Sequence, residues 1–223
     1  MLTLFLFIGL SLRDGTMVYY FKYVLGKEDL FSLFNVFGLG ALIVGVLFSN
    51  MLAERFGKRA VFIAGLSVTA LLSLVLIVLP TGSVVVLFVI EVLRRFAWGW
   101  TAPLLWAMMA DVADYSEWRT GRRATAMVFA ATVFALKAGL GLGRAIAAWL
   151  LSLYGYVPNA SQSSDGLLGI RMIPSVFAAA VFFGGVACLF FYKIDKQLNI
   201  RITDELTERR KKYPSQPSLS ATS

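Results

Sequence analysis

Residues 103–143 read PLLWAMMADVADYSEWRTGRRATAMVFAATVFALKAGLGLG. The stretch begins and ends strongly apolar. Its middle, ADVADYSEWRTGRR at 110–123, carries three acids and three bases. Asp111, Asp114 and Glu117 recur every three residues, which places them along one side of a helix. Arg119, Arg122 and Arg123 follow closely. A charged segment between two greasy ones reads as the connection between two membrane helices.

The bulk composition points the same way. Of the 223 residues, 58% are hydrophobic and only 15% are charged, with a mean hydropathy of +0.74. Soluble domains carry about 25% charged residues. The net charge is +8, but the bases sit between apolar spans and in a tail. That distribution suits an anionic membrane surface and argues against nucleic acid as a partner. The chain has no histidine and one cysteine, Cys188, inside an apolar run. Histidine-based metal sites, Ser-His triads and histidine proton relays are therefore absent, as is an internal disulfide. No catalytic residue, metal ligand set or cofactor is expected, and the chain reads as a non-enzyme. The opening MLTLFLFIGLSL lacks the basic leader and cleavage site of a signal peptide, so it reads as a span.

A spanning helix needs about 20 mostly apolar residues, because each adds about 1.5 Å across a core about 30 Å thick. Six segments qualify: 3–24, 31–52, 60–79, 83–108, 125–151 and 170–192. Helices are expected because an open sheet leaves backbone groups unpaired in lipid. The fold class is thus an all-α membrane protein, with a six-helix bundle over 1–193 and a cytoplasmic tail over 194–223. The first part of the tail forms a short surface helix, and YPSQPSLSATS reads as disordered.

The positive-inside rule orients these spans. One set of connections, AERFGKR, WRTGRR and the tail, holds thirteen bases, whereas the opposite set holds Lys22, Lys27 and Arg171. Both termini are therefore expected in the cytoplasm. LPTGS at 79–83 reads as a tight outer turn and 154–166 as a longer outer loop, with NAS at 159–161 matching a glycosylation sequon.

Five bases remain inside the spans: Arg13, Arg94, Arg95, Lys137 and Arg144. A base at a helix centre costs at least about 2.5–3.5 kcal/mol on insertion scales, so such residues face a bundle interior or a wet cavity. Arg13 adjoins Asp14, which allows local compensation. Glu91 precedes Arg94 and Arg95 by three and four residues, so a helical ion pair accounts for one of them. Lys137 and Arg144 are seven apart and share a helix face. Against five bases stand two acids, Asp14 and Glu91, an excess of +3. An anionic ligand, or a partner carrying carboxylates, completes that balance. Trp98 and Trp106 lie inside the fourth span with Pro103 between them, a site for a kink and for stacking against a sugar ring. The tyrosines of DGTMVYYFKYVLG, 14–26, read as an interfacial belt.

These segments resemble the glycoside–pentoside–hexuronide:cation symporters, the melibiose-carrier group of the major facilitator superfamily. RDGTMVYYFKYVLG resembles that family's seventh helix, AERFGKR its loop between helices eight and nine, and 103–143 its tenth and eleventh helices. The family fold has twelve spans in two halves, and this chain resembles the C-terminal half only. The resemblance implies cation-coupled symport, driven by Na⁺ or H⁺, of a sugar or glycoside by alternating access. It implies partners in the lipid bilayer and in an N-terminal six-helix half that carries the cation site. Localisation follows as a bacterial cytoplasmic (inner) membrane. Lys137 matches the family's helix-eleven lysine in the sugar and cation cavity, with Thr132 one turn before it. Trp106, Arg13 and Arg144 join them as candidate cavity residues. Asp111, Asp114, Tyr115, Glu117, Arg119 and Arg122 become a cytoplasmic gate that pairs across the halves. A truncated or non-transporting membrane interaction subunit is the alternative.

Overall fold

The structure is a computed structural model. It describes residues 1–212 apart from Thr81, Gly82, Arg123, Lys193 and Asp195, with backbone alone at 209–212. The tail end expected to be disordered, the centre of the LPTGS turn and the arginine at 123 lie outside the described residues.

The apolar runs all form helices, and no strand occurs among the described residues. Helix α1 (Leu2–Tyr19) continues as a π-helical segment, Tyr20–Leu25. Helices α2 (Leu30–Phe56) and α3 (Lys58–Val78) are separated by one residue, Gly57. Its φ of 85° lets the chain reverse there without the clash that a side chain would bring. Helix α4 (Val84–Thr120) runs 37 residues and ends on Gly121, whose left-handed backbone caps it. Helix α5 spans Thr125–Leu153. Helix α6 (Ser164–Met172) passes through a π-helical turn, Ile173–Phe177, into α7 (Ala178–Phe190). A last helix, α8 (Lys196–Lys212), lies beyond.

Five of these units are long and apolar enough to cross a membrane: Leu2–Leu25, α2, α3, α5 and Ser164–Phe190. The remaining long helix, α4, is interrupted by Glu91, Arg94 and Arg95 in its apolar half. At about 1.5 Å per residue its 37 residues reach about 55 Å, longer than a bilayer core is thick. Its C-terminal end, from Asp111 to Trp118, extends to α8. The helix runs on through 109–120, beyond the expected fourth span, 83–108.

Neighbouring helices follow the order α2, α4, α3, α7, α1, α5. Two central pairs, α4 with α3 and α7 with α1, hold the core of Leu6, Phe62, Leu66, Leu87, Met108 and Phe182. Lipid is as apolar as these side chains, so packing comes from close fit and from small residues at crossings. Gly45 of α2 meets Gly99 of α4 backbone to backbone. Gly139 and Gly143 of α5 sit on Leu4, Ile8 and Ser11 of α1, where an added Cβ would lie 2.6–2.9 Å from α1 atoms. The end helices are open. Only 17% of the apolar window of α2 or α5 is buried, against 44–50% for the other spans.

Two arginines tie helix ends together through carbonyls, which carry the negative end of the helix dipole. Arg59 donates to the carbonyls of Leu189 and Phe190 at the end of α7, at 3.1 and 3.2 Å. Arg171 donates to Ile77 and Leu79 at the end of α3, at 2.8 and 3.1 Å.

Candidate functional site

The structure gathers three of the five intramembrane bases into one network between α1 and α4. Arg94 donates to Glu91 at 2.7 Å and to Asp14 at 3.0 Å. Arg95 reaches Glu91 at 2.8 Å and Asp14 at 3.0 Å. Arg13 contacts Glu91 at 3.3 Å. Glu91 therefore serves three arginines, where one helical pair was expected. Arg13 is not compensated by its neighbour Asp14, because successive helical residues point about 100° apart. Asp14 instead crosses to α4. Arg13 and Arg94 are fully buried, and Nε and Nη1 of Arg13 find no partner in the structure. Arg13 thus lies in the interior of this bundle.

Lys137 and Arg144 lie apart from this network, exposed on α5. Neither has an ion-pair partner among the described residues. Thr132 is buried, 4% exposed, and its hydroxyl donates to the carbonyl of Val128 at 2.8 Å. Thr132, five residues before Lys137, faces a different side of α5. Trp106 is 39% exposed and stacks on Phe129 of α5, with ring centroids 6.2 Å apart and planes 9° apart. The excess of +3 resolves into +1 within the network and one free charge each on Lys137 and Arg144.

The expected gate residues lie on the extended end of α4, with Arg122 just beyond it. Asp111 is buried and accepts from Lys58 Nζ with both oxygens at 2.8 Å, and from Asn199 Nδ2 at 3.2 Å. Trp118 Nε1 donates to Glu205 at 2.6 Å. Asp114, Tyr115 and Glu117 are half-buried, while Arg119 and Arg122 are exposed. Helix α8 lies along this end with Ile202 and Leu206 buried. Beside it a half-open cavity of about 890 Å³ is lined by Glu54, Lys58, Asp111, Tyr192, Lys196 and Asn199, among others. Lys58 and Asn199 were not singled out from the sequence. The RFGKR motif was the available signal for Lys58, and nothing in the sequence pointed to Asn199.

At the opposite end the loop after α5 is strapped to the π-helical end of α1. The amide of Asn159 donates to the Tyr23 hydroxyl at 2.9 Å, and Lys22 donates to Asn159 Oδ1 at 3.0 Å. Tyr156 donates to the same hydroxyl at 3.3 Å. Burial, with that bond, holds the Tyr156 hydroxyl above the ordinary tyrosine range. The tyrosines are therefore not a simple belt: Tyr20 is fully buried, and Tyr23 anchors a loop. Among the described residues no group of three potential metal ligands occurs.

Comparison with known proteins agrees with this architecture. The family described as MFS/sugar transport protein matches residues 1–196. The chain is 32% identical over 199 residues to a putative glycoside/cation symporter, YagG, of Escherichia coli, covering 89% of this chain and 43% of that protein. It is 32% identical over 203 residues to a putative sulfoquinovose importer of Salmonella typhimurium, covering 90% and 42%. It is 35% identical over 200 residues to an uncharacterized 29.9 kDa protein of Pseudescherichia vulneris, covering 86% and 70%. The chain spans less than half the length of the first two relatives. Those relatives are named as transporters and not as enzymes. An all-helical bundle of membrane-crossing length, matched over nearly all of its residues, places this chain as an integral membrane protein of the MFS/sugar transport family.

Proposed function

We propose that this chain is the C-terminal half of a cation-coupled carrier for a sugar or glycoside, working by alternating access. The carrying observation is its open architecture. Helices α2 and α5 are left mostly unburied at either side of the α1–α4 charge network, and the chain matches under half of its first relatives. A second six-helix half facing α2 and α5 encloses a midplane cavity, and the two halves rock around it. In this reading α4 is the sixth span. Its interior charges are neutralised mainly by Asp14 and Glu91, so the helix crosses lipid despite them. The end bearing Lys58, Arg119 and α8 faces the cytoplasm, in the inner membrane of a bacterium.

The coupling cation, Na⁺ or H⁺, binds in the other half. Asp14 and Glu91 are already held by three arginines, which repel a second cation. Asp114, Arg119 and Arg122 make no ion pair among the described residues, which leaves them available to pair across the halves when the cytoplasmic side closes. Asp111 plays a different part in that gate: it locks α4 to Lys58 within this half.

The test is uptake of a labelled glycoside panel into proteoliposomes holding this chain alone, or together with the six preceding spans. Uptake driven by a Na⁺ or H⁺ gradient is expected only with both halves. Absence of uptake for every sugar and both gradients, with a well-folded pair, overturns the assignment.

A further inference from the structure

The cavity of about 890 Å³ lies where two apolar spans meet. One span ends at Phe56 and the next begins at Lys58, so Gly57 between them marks a membrane boundary. Leu104, Ala107 and Asp111 of α4 form another wall, and the first turn of α8 a third. Helix α8 closes against the reversal itself. A Cβ built on Gly57 would stand 3.9 Å from Lys196 Cβ, and Lys196 Nζ donates to the Glu54 carbonyl at 2.6 Å.

The charges of the lining do not cancel. Lys58 and Asp111 answer each other. Arg59 and Lys196 donate to backbone carbonyls, which carry no net charge, and neither forms an ion pair among the described residues. Against these two bases stands Glu54 alone, so the described lining residues hold an excess of one positive charge. The start of α3 adds to it. Its N-cap is Gly57, which has no side chain to bond the first amides, so the positive end of the helix is left uncapped at the cavity. Tyr192, on the same wall, has a buried hydroxyl without a partner. Uncapped amides beside free bases suit a phosphate.

The mouth of the cavity shows what carries that phosphate. Ala60 lines the cavity and is exposed. It is the first of Ala60, Ala64, Val68, Leu71, Val75 and Val78, all exposed and three or four apart along α3. That spacing makes one apolar stripe, running from the cavity to the far end of the span. Helix α3 is not one of the two open helices, α2 and α5, so its stripe faces lipid. Ile63 and Leu104 continue the apolar surface into the cavity floor. An acyl chain can use this continuity, and a soluble phosphate cannot.

We propose that this cavity binds the head group of an anionic phospholipid whose acyl chains lie along the α3 stripe. The phosphate sits at the first turn of α3, between the Lys196 ammonium and the Arg59 guanidinium. The Tyr192 hydroxyl donates to one of its oxygens. Because these groups come from α3, α8 and the segment between α7 and α8, the bound lipid fastens α8 to the bundle.

The test uses the full 223-residue chain purified in detergent. Its probes are phosphatidylglycerol, phosphatidylcholine with the same acyl chains, and glycerol 3-phosphate. Native mass spectrometry counts bound lipid, and thermal unfolding reads its effect. Phosphatidylglycerol should bind and raise the unfolding temperature, and the other two should do little. Lys196→Gln should weaken phosphatidylglycerol binding about fivefold, the effect of losing one base beside an anionic head group. Ala60→Trp, at an exposed site, should block the mouth and remove the shift. Arg201→Gln removes an exposed base outside the cavity lining and should change little. Size-exclusion profiles check that each variant folds. Equal stabilisation by phosphatidylcholine overturns the proposal, since the charge is then not read. An equal effect of glycerol 3-phosphate overturns it too, since the site then takes a soluble phosphate. Unchanged affinity in both Lys196→Gln and Ala60→Trp, or an equal loss in Arg201→Gln, removes the cavity as the site.

Discussion

Lys58 Nζ stands 2.8 Å from both carboxylate oxygens of Asp111, so the first turn of α3 is clamped to the extended end of α4. The pair is partly exposed, with Lys58 35% and Asp111 11% open at the side chain. Asp111→Asn keeps the shape and loses the charge. It should cost roughly 1–2 kcal/mol, more than a surface pair and less than a buried one. Thermal unfolding in detergent reads that loss, and an unchanged transition removes the clamp.

Glu91 is the hub of the buried network. Glu91→Gln leaves Arg13 without an ion pair and Arg94 and Arg95 on Asp14 alone, and should cost about 3–5 kcal/mol, the range for breaking a buried pair. Adding Arg13→Met to that variant should restore part of the loss, because it removes the base with the poorest partners. If the double variant is no better than Glu91→Gln, Arg13 and Glu91 are not coupled.

Gly99 touches Gly45 across the α2–α4 crossing. Gly99→Leu forces the helices apart and should cost about 1–3 kcal/mol or more by overpacking. The yield of monodisperse protein should fall. Gly15→Leu, at a site with open space around it, is the control and should be tolerated.

Ile202 of α8 is fully buried. Ile202→Asp places a carboxylate against apolar surface, which costs several kcal/mol, and should release the helix. Limited trypsin digestion then cuts at Arg201 sooner, with the membrane-embedded part left intact. Equal digestion of both forms would show that α8 is not held by this contact.

Asp114 and Arg122 lie on or beside the extended end of α4 without an ion pair among the described residues. In the proposed carrier, Asp114→Asn or Arg122→Gln should slow transport more than it weakens sugar binding. Stopped-flow uptake beside equilibrium binding separates the two, and equal effects on both count against the gate.

Much of the fold was legible in the chain. Apolar runs of about 20 residues must be helices in lipid, since every backbone group needs a partner. The basic stretches AERFGKR and WRTGRR marked two connections, which the structure turns at Gly57 and Gly121. The family resemblance carried over to the MFS/sugar transport match. That the fourth helix runs on through 109–120 was only partly legible: the three-residue spacing of Asp111, Asp114 and Glu117 allowed a helix, while the charges alone read as a connection. The stretch packs on α8, an element far along the chain.

The site divided in the same way. Sequence alone established which charges lie inside apolar spans, and that Lys137 and Arg144 share a helix face, since period and composition are local properties. Only the tertiary structure decided which charges answer each other. Arg13 was expected to lean on its neighbour and instead meets Glu91, 78 residues away. Asn159, seen only as a sequon, holds Lys22 and Tyr23. Partners of this kind are set by which helices lie side by side. Helical period fixes where a side chain points, but packing fixes what it meets there.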